Sequence, residues 1–354
     1  MNWDEKPNWE GTACPIPLQS NERILLGHGS GGKLTAELIG QLFLPAFNNE
    51  YLARLDDQAV IDLDGLRLAF TTDAFVVTPI FFPGGDIGQL AVNGTVNDLA
   101  MSGAKPLYIA AAFILEEGLA LEELTRVVYS MRKAALEAGV QLVAGDTKVV
   151  DRGKADKIFI TTTGLAVVDK RVSISGDRAR AGDQVILSGS IGDHGIAVLS
   201  TREHLDFEGT IESDTAPLHT LVAAMLDASE GVHCLRDPTR GGLATTLNEI
   251  AVRSNIGIEI EEKKIPMGES VKAACEILGL DPLYIANEGK LVAIVEPAAA
   301  DRILGAMRKH PRGRRANIIG RVVAEHPRVT VMKTAIGSRR IVDVPTSEPL
   351  PRIC

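Results

Sequence analysis

Cysteine is scarce and scattered in this 354-residue chain: Cys14, Cys234, Cys275 and Cys354 form no Cys-x-x-Cys pair and no Cys/His cluster at zinc spacing. That pattern argues against a disulfide framework and a zinc site. Aromatic residues make up only 4% of the chain. Long apolar runs are missing too; the longest, Leu107 to Leu115, is too short for a bilayer core of about 30 Å. The first twenty residues lack the basic and apolar stretches of a signal peptide. A cytoplasmic protein without membrane contact is expected. Positive charge is in deficit, with 37 basic against 46 acidic residues and a net charge of −9. Phosphate backbones and anionic membranes reward clustered Lys and Arg, so nucleic acid is not an expected partner.

Hydrophobic residues form 45% of the chain and glycines number 34, a share above the usual ~7%. The length suits two domains, each large enough for its own core. Polar residues 1–22 read as a mobile extension. From Arg23 strand-like and helix-like patterns alternate: strands at 66–72, 107–115, 141–144 and 157–168, helices at 86–103 and 121–138. The polar stretch 169–184 interrupts them, and a second round follows, with strands at 185–188, 256–260, 291–295 and 328–333 and helices at 217–228, 242–254 and 298–309. The expected organisation is a domain over 23–170, a second over 171–344, both α/β (α+β), and a mobile tail over 345–354.

Three features carry chemistry. Gly27-His-Gly-Ser-Gly-Gly-Lys33 follows an apolar run and opens a helix-like stretch. Backbone N–H groups at Gly29, Gly31 and Gly32, with Lys33, could cradle a nucleotide phosphate; the alternative is a flexible glycine loop. Leu34 stands where a Walker A motif has Ser or Thr, so an ordinary P-loop is not expected. Next, residues 68–104 hold no Lys, Arg or His, yet contain Asp73, Asp86 and Asp98 in apolar surroundings. Carboxylates there must be hydrogen-bonded, paired or metal-bound. With Asp56, Asp57 and Asp146 they form a set of oxygen ligands suited to magnesium bridging phosphates, although each alone could be a turn or cap residue. Lys148 is either a phosphate contact or base, or a surface lysine. Asp237-Pro-Thr-Arg-Gly-Gly and Asn287-Glu-Gly-Lys read as a helix start and a turn. Lastly, three prolines in the final ten residues make an extended arm that ends in the Cys354 thiol, either a stray terminus or a carrier of an acyl-like group.

HGSGGKL, DDQAVI, TTDAFVVTP, NDLAMSGAKP, AGDTKVV, GDHG, DPTRGGLATTLNEIA, NEGKL and the terminal PRIC together resemble the HypE family of carbamoyl dehydratases of [NiFe]-hydrogenase maturation, from about Arg23 to Cys354. The resemblance implies a two-domain fold like that of aminoimidazole ribonucleotide synthetase, an N-domain sheet closing a dimer barrel, and a flexible C-terminal tail. It implies ATP and Mg2+ as cofactors, and as partners a second copy, the carbamoyltransferase HypF and the iron-carrying HypC–HypD complex. Carried over residue by residue, Cys354 is the nucleophilic carrier and Lys148 and Glu288 assist proton removal. Asp57, Asp73, Asp98 and Asp237 hold metal; Gly29, Gly31, Gly32, Lys33, Asn97 and Asp146 bind nucleotide. Alternatives are a kinase resembling the selenophosphate synthetases, which would need a reactive residue near the glycine loop, and a non-catalytic scaffold.

Overall fold

The computed structural model describes residues 23–205, 207, 209, 211–346, 350 and 352–354. The expected N-terminal extension and Cys14 lie outside them. The chain enters through two short helical segments, α1 (Lys33–Leu38) and α2 (Leu44–Phe47), joined by one wider turn. The first sheet follows from β-branched segments with alternating burial. It contains β1 (Ala59–Leu63) and β2 (Leu66–Phe75), and, after the small β3 (Phe81–Phe82) and β4 (Gly85–Asp86) ribbon, β5 (Lys105–Glu116), β6 (Gln141–Val150) and β7 (Ile158–Val167). Its order is β1-β2-β7-β5-β6, with only β5 and β6 parallel. That parallel pair needs a crossover, and α4 (Leu121–Ala138) supplies it.

Helix α4 buries Val127, Met131, Ala134 and Ala138 on one stripe; burying Val127 and Met131 contributes roughly 1.5–3 kcal/mol each. It stops at Gly139, whose φ of 66° ends the helix at little steric cost. Beneath it runs α3 (Ile87–Met101), capped by the Asp86 carboxylate, which accepts from the Gly88 and Gln89 amides, and buried along nearly its whole length. A helix apolar on all sides must be covered on all sides. Accordingly α3 lies between the first sheet and the second half of the chain.

The second sheet has the order β14-β13-β10-β12-β8-β11-β9: β8 (Gln184–Leu187), β9 (Val232–Arg236), β10 (Gly257–Glu261), β11 (Val292–Val295), β12 (Asn317–Val323), β13 (Thr330–Lys333) and β14 (Arg339–Val342). The helices α5 (Asp193–Arg202), α6 (His219–Ala228), α7 (Gly242–Ser254), α8 (Glu269–Leu278) and α9 (Pro297–Lys309) pack around it. An apolar cluster including Phe75, Val77, Leu90, Ile196, Val271 and Ile285 joins the two halves. Among the described residues no helix is long and apolar enough to cross a membrane.

Candidate active site

Strand β2 turns Ala69, Thr71, Asp73 and Phe75 to one face, because side chains alternate along a strand. That face meets α3, which carries Asp98. Thr71 Oγ1 donates to Asp98 Oδ2 (2.9 Å) and lies 2.8 Å from the Asp57 carbonyl. Asp73 stands close to Asp98, and the two carboxyls act on each other. Asp57, just before β1, pairs with the Arg236 guanidinium at 2.7 Å. Asp237 directly follows that arginine at the end of β9 and faces Asp57 and Asp73. Glu288 completes the group, with Asp237, Asp214 and Asp73 around it.

Burial pushes all five carboxyls up: Asp57 to about 6, Asp73 above its usual range, and Asp98, Asp237 and Glu288 well above it, with neighbouring like charges adding to the last three. Glu288 is 3% exposed, and its Oε1 has no hydrogen-bond partner. A concentration of buried acids with one unpartnered oxygen suits a cation that arrives with its substrate. Among the described residues no three acidic, histidine or cysteine side chains form a ready-made metal cage. Magnesium usually takes one or two carboxylates and completes its shell with phosphate oxygens and water. The residues therefore fit Mg2+ bound together with a nucleotide, and do not fit a resident structural ion.

The glycine loop sits beside these acids, since Arg240 faces Asp73 and Glu288 and donates from Nη1 to the Gly29 carbonyl at 3.0 Å. Its C-terminal end is already engaged. The Lys33 amide donates to the Pro345 carbonyl (2.9 Å), the Leu34 amide to that of Thr346 (3.3 Å), and Lys33 Nζ pairs with Asp343 at 2.7 Å. A Cβ at Gly32 would strike the Pro345 carbonyl, and one at Gly31, where φ is +81°, would strike Arg240. In this state the loop grips the start of the C-terminal segment.

Where a flexible tail was expected, the tip is docked. Leu350 and Ile353 are buried and Cys354 is half-buried. The Val76 amide donates to the Cys354 carbonyl at 3.0 Å. Val76 lies three residues beyond Asp73, about 10 Å of extended chain. The thiol-bearing residue therefore rests past the end of the strand that carries Asp73.

Two family models match the chain: AIR synthase related protein, N-terminal domain, over residues 55–168, and AIR synthase related protein, C-terminal domain, over 180–332. Carbamoyl dehydratase HypE of Azotobacter vinelandii is 56% identical over 334 residues, spanning 94% of this chain and 98% of that protein. The chain belongs to the HypE family. Among solved structures, a HypE–HypF complex superposes with a TM-score of 0.83 at 50% identity, covering 87% of this chain and 99% of that one. A hydrogenase maturation protein HypE in complex with ATP gives a TM-score of 0.79 at 50% identity, covering 94% of this chain and 100% of that one. The fold is thus the two-domain AIR synthase related fold, as the sequence motifs imply.

Not every residue carried over from the HypE family gathers at the acids. Lys148 and Asp146 pair with each other at 2.9 Å on β6, with side chains 70% and 64% exposed. Register places Asp73 opposite Thr162, Thr162 opposite Ala111 and Ala111 opposite Gly145. Three strand spacings of about 4.8 Å therefore separate Asp146 from Asp73. Within one chain neither belongs to the acid cluster. Asn97 is buried, its amide donates to the Ala216 and Glu288 carbonyls (3.1 and 3.2 Å), and its oxygen accepts from the Leu218 amide at 2.8 Å. These bonds staple α3 to the second half.

Sequence reasoning missed Arg236, held between Asp57 and Glu249, which is a sequence-distant partner of Asp57. His194 lies in the first turn of α5 with Nε2 2.9 Å from the Ile353 carbonyl. Cys234 and Cys275 are buried small hydrophobes as expected; burial pushes their thiols up to about 12 and about 11, so neither is a nucleophile. A cleft of about 800 Å3 lined by Arg171, Ile174, Asp227 and Arg302 contains none of the site carboxylates.

Proposed function

We propose that the chain is an ATP-dependent carbamoyl dehydratase that acts on a carbamoyl group carried by its own Cys354, producing the thiocyanate from which the cyanide ligand of a [NiFe]-hydrogenase is made. The observation that carries this reading is the docking of the Cys354 residue just past the end of β2, the strand that carries Asp73 of the carboxyl cluster. The carbamoyl oxygen attacks the γ-phosphorus of ATP; the bond to ADP breaks and one N–H proton leaves. Loss of the second N–H proton with cleavage of the C–O bond expels phosphate and leaves S–C≡N. The oxygen departs only after phosphorylation, because an amide oxygen is otherwise a poor leaving group.

Glu288 is the base that supports proton removal. With like charges around it the carboxyl holds its proton, so it becomes a base only when positive charge enters the cluster. Asp57, Asp73, Asp98 and Asp237 would hold Mg2+, which offsets the phosphate charge when bound. Arg236 fixes Asp57, and Arg240 ties the acids to the glycine loop. A dry site limits hydrolysis of the carried group.

The working units are the segments 23–170 and 171–344, the tail 345–354 and the extension 1–22. The assembly is a homodimer through β6. Residues 141–149 are exposed on both faces of an unpaired sheet edge, with Leu142, Val143 and Val149 among them, a liability that a partner strand removes. Lys148 and Asp146 then act across that interface. HypF supplies the carbamoyl group, the HypC–HypD iron complex receives the cyanide, and the setting is cytoplasmic. A kinase of the selenophosphate-synthetase type has no use for the docked thiol, and a scaffold has none for the buried acids. Phosphate release from ATP tests the reading: it requires HypF and carbamoyl phosphate and disappears in Cys354→Ser. Release at the same rate in that variant contradicts it.

A further inference from the structure

We propose that Val76, Thr78, Asp156, His194 and Arg202 form a peptide-reading groove for the chain's own last three residues, in which Asp156 and His194 act as positioning residues for Cys354. The groove reads backbone and side chains separately. Val76 and Thr78 amides donate to the Cys354 and Arg352 carbonyls at 3.0 and 3.3 Å, in antiparallel sense, the pattern by which an extended peptide adds to a free chain edge. Helix α5 supplies both polar ends. At its start His194 Nε2 donates to the Ile353 carbonyl at 2.9 Å, and Nδ1 is 2.8 Å from Ser213 Oγ. Burial holds the imidazole neutral, so with Nε2 donating, Nδ1 accepts from the serine hydroxyl. At its end Arg202 spans the two strands, Nε to the Thr78 carbonyl (2.9 Å) and Nη2 to the Arg352 carbonyl (2.7 Å).

Side chains add specificity. Arg352 has a φ of 57°, a backbone state that a bulky L-residue keeps only when its surroundings hold it. Its guanidinium lies 2.7 Å from Asp156 Oδ2, and its Nε donates to the Val76 carbonyl at 3.3 Å. Asp156 is itself set by the Thr78 hydroxyl at 2.9 Å. Ile353, 1% exposed, fills the apolar cluster with Leu350. Arginine and isoleucine are thus read one on each side of the chain, which fixes the register of the cysteine that follows. The inference concerns where the thiol sits, whatever group it carries.

Its test therefore needs no turnover. In the full-length protein without nucleotide or carbamoyl donor, iodoacetamide labelling of Cys354 is followed by the mass of the C-terminal peptide. The Asp156 and Arg352 side chains are 44% and 32% exposed, so exchanging them does not threaten the fold. Arg352→Asp and Asp156→Arg each speed labelling roughly threefold to fivefold, the scale of one partly exposed ion pair. The double exchange Asp156→Arg with Arg352→Asp returns toward the wild-type rate. His194→Ala raises the rate further, toward that of Ile353→Asp, which cannot enter the apolar cluster. Equal rates in the wild type and both single variants, or no recovery in the double exchange, overturn the assignment. Failure of the dehydratase reading leaves these rates unchanged, so the two are distinguishable.

Discussion

At the scale of single residues the site is a set of carboxyls held where they resist ionisation. Glu288, buried with Oε1 unpartnered, has no packing reason to be an acid. Replacement by glutamine keeps the shape and removes the base. Glu288→Gln should bind ATP and accumulate the carbamoylated form, with dehydration about 10²–10⁴-fold slower in single-turnover assays. The raised pKa values also fix a stability trend. Each of these groups binds its proton more tightly folded than unfolded, so the fold loses stability as pH rises from the unfolded to the folded value. For Asp57 that window runs from about 3.9 to about 6. Asp98→Asn should therefore match the wild type near pH 4 in thermal unfolding without nucleotide, exceed it by about 1–2 kcal/mol at pH 7, and lose activity. The acids at 73 and 98 were legible because no cation lies between residues 68 and 104. The partner of Asp57 was not: Arg236 is brought to it by the second sheet, far along the chain.

Among the elements, α4 and α7 are legible to the residue because each apolar stripe ends at a left-handed stop, Gly139 or Asn255. Strand β6 is longer than its sequence pattern, running through Gly145-Asp-Thr-Lys148, which reads locally as a turn. Helix α5 hides behind Gly192 and Gly195, which resemble a loop. The proline-rich tail reads as a free arm because the groove that holds its tip is built from residues 150 or more positions away. Helix α3 offers a test of what Asn97 does. Asn97→Leu strands the Leu218 amide and the Ala216 and Glu288 carbonyls, so it should cost about 2–4 kcal/mol in denaturant unfolding. A ligand role for Asn97 instead predicts lost ATP affinity at unchanged stability.

For the whole molecule, the two sheets, the α3 spine and the clustered acids make one half of a working unit if β6 pairs with a second copy. Val143→Lys and Val149→Lys, on side chains 59% and 67% exposed in the single chain, should give monomers in sedimentation experiments. They should also slow dehydration as much as Lys148→Ala does, because Lys148 then has no partner site to serve. The central claim is that Cys354 carries the reacting group into the acid cluster. It is tested most directly by the mass of the C-terminal peptide after incubation with ATP, carbamoyl phosphate and HypF. The peptide should first gain a carbamoyl group and then lose one water, with neither change in Cys354→Ala; an unmodified peptide, or the same changes in that variant, contradicts the account.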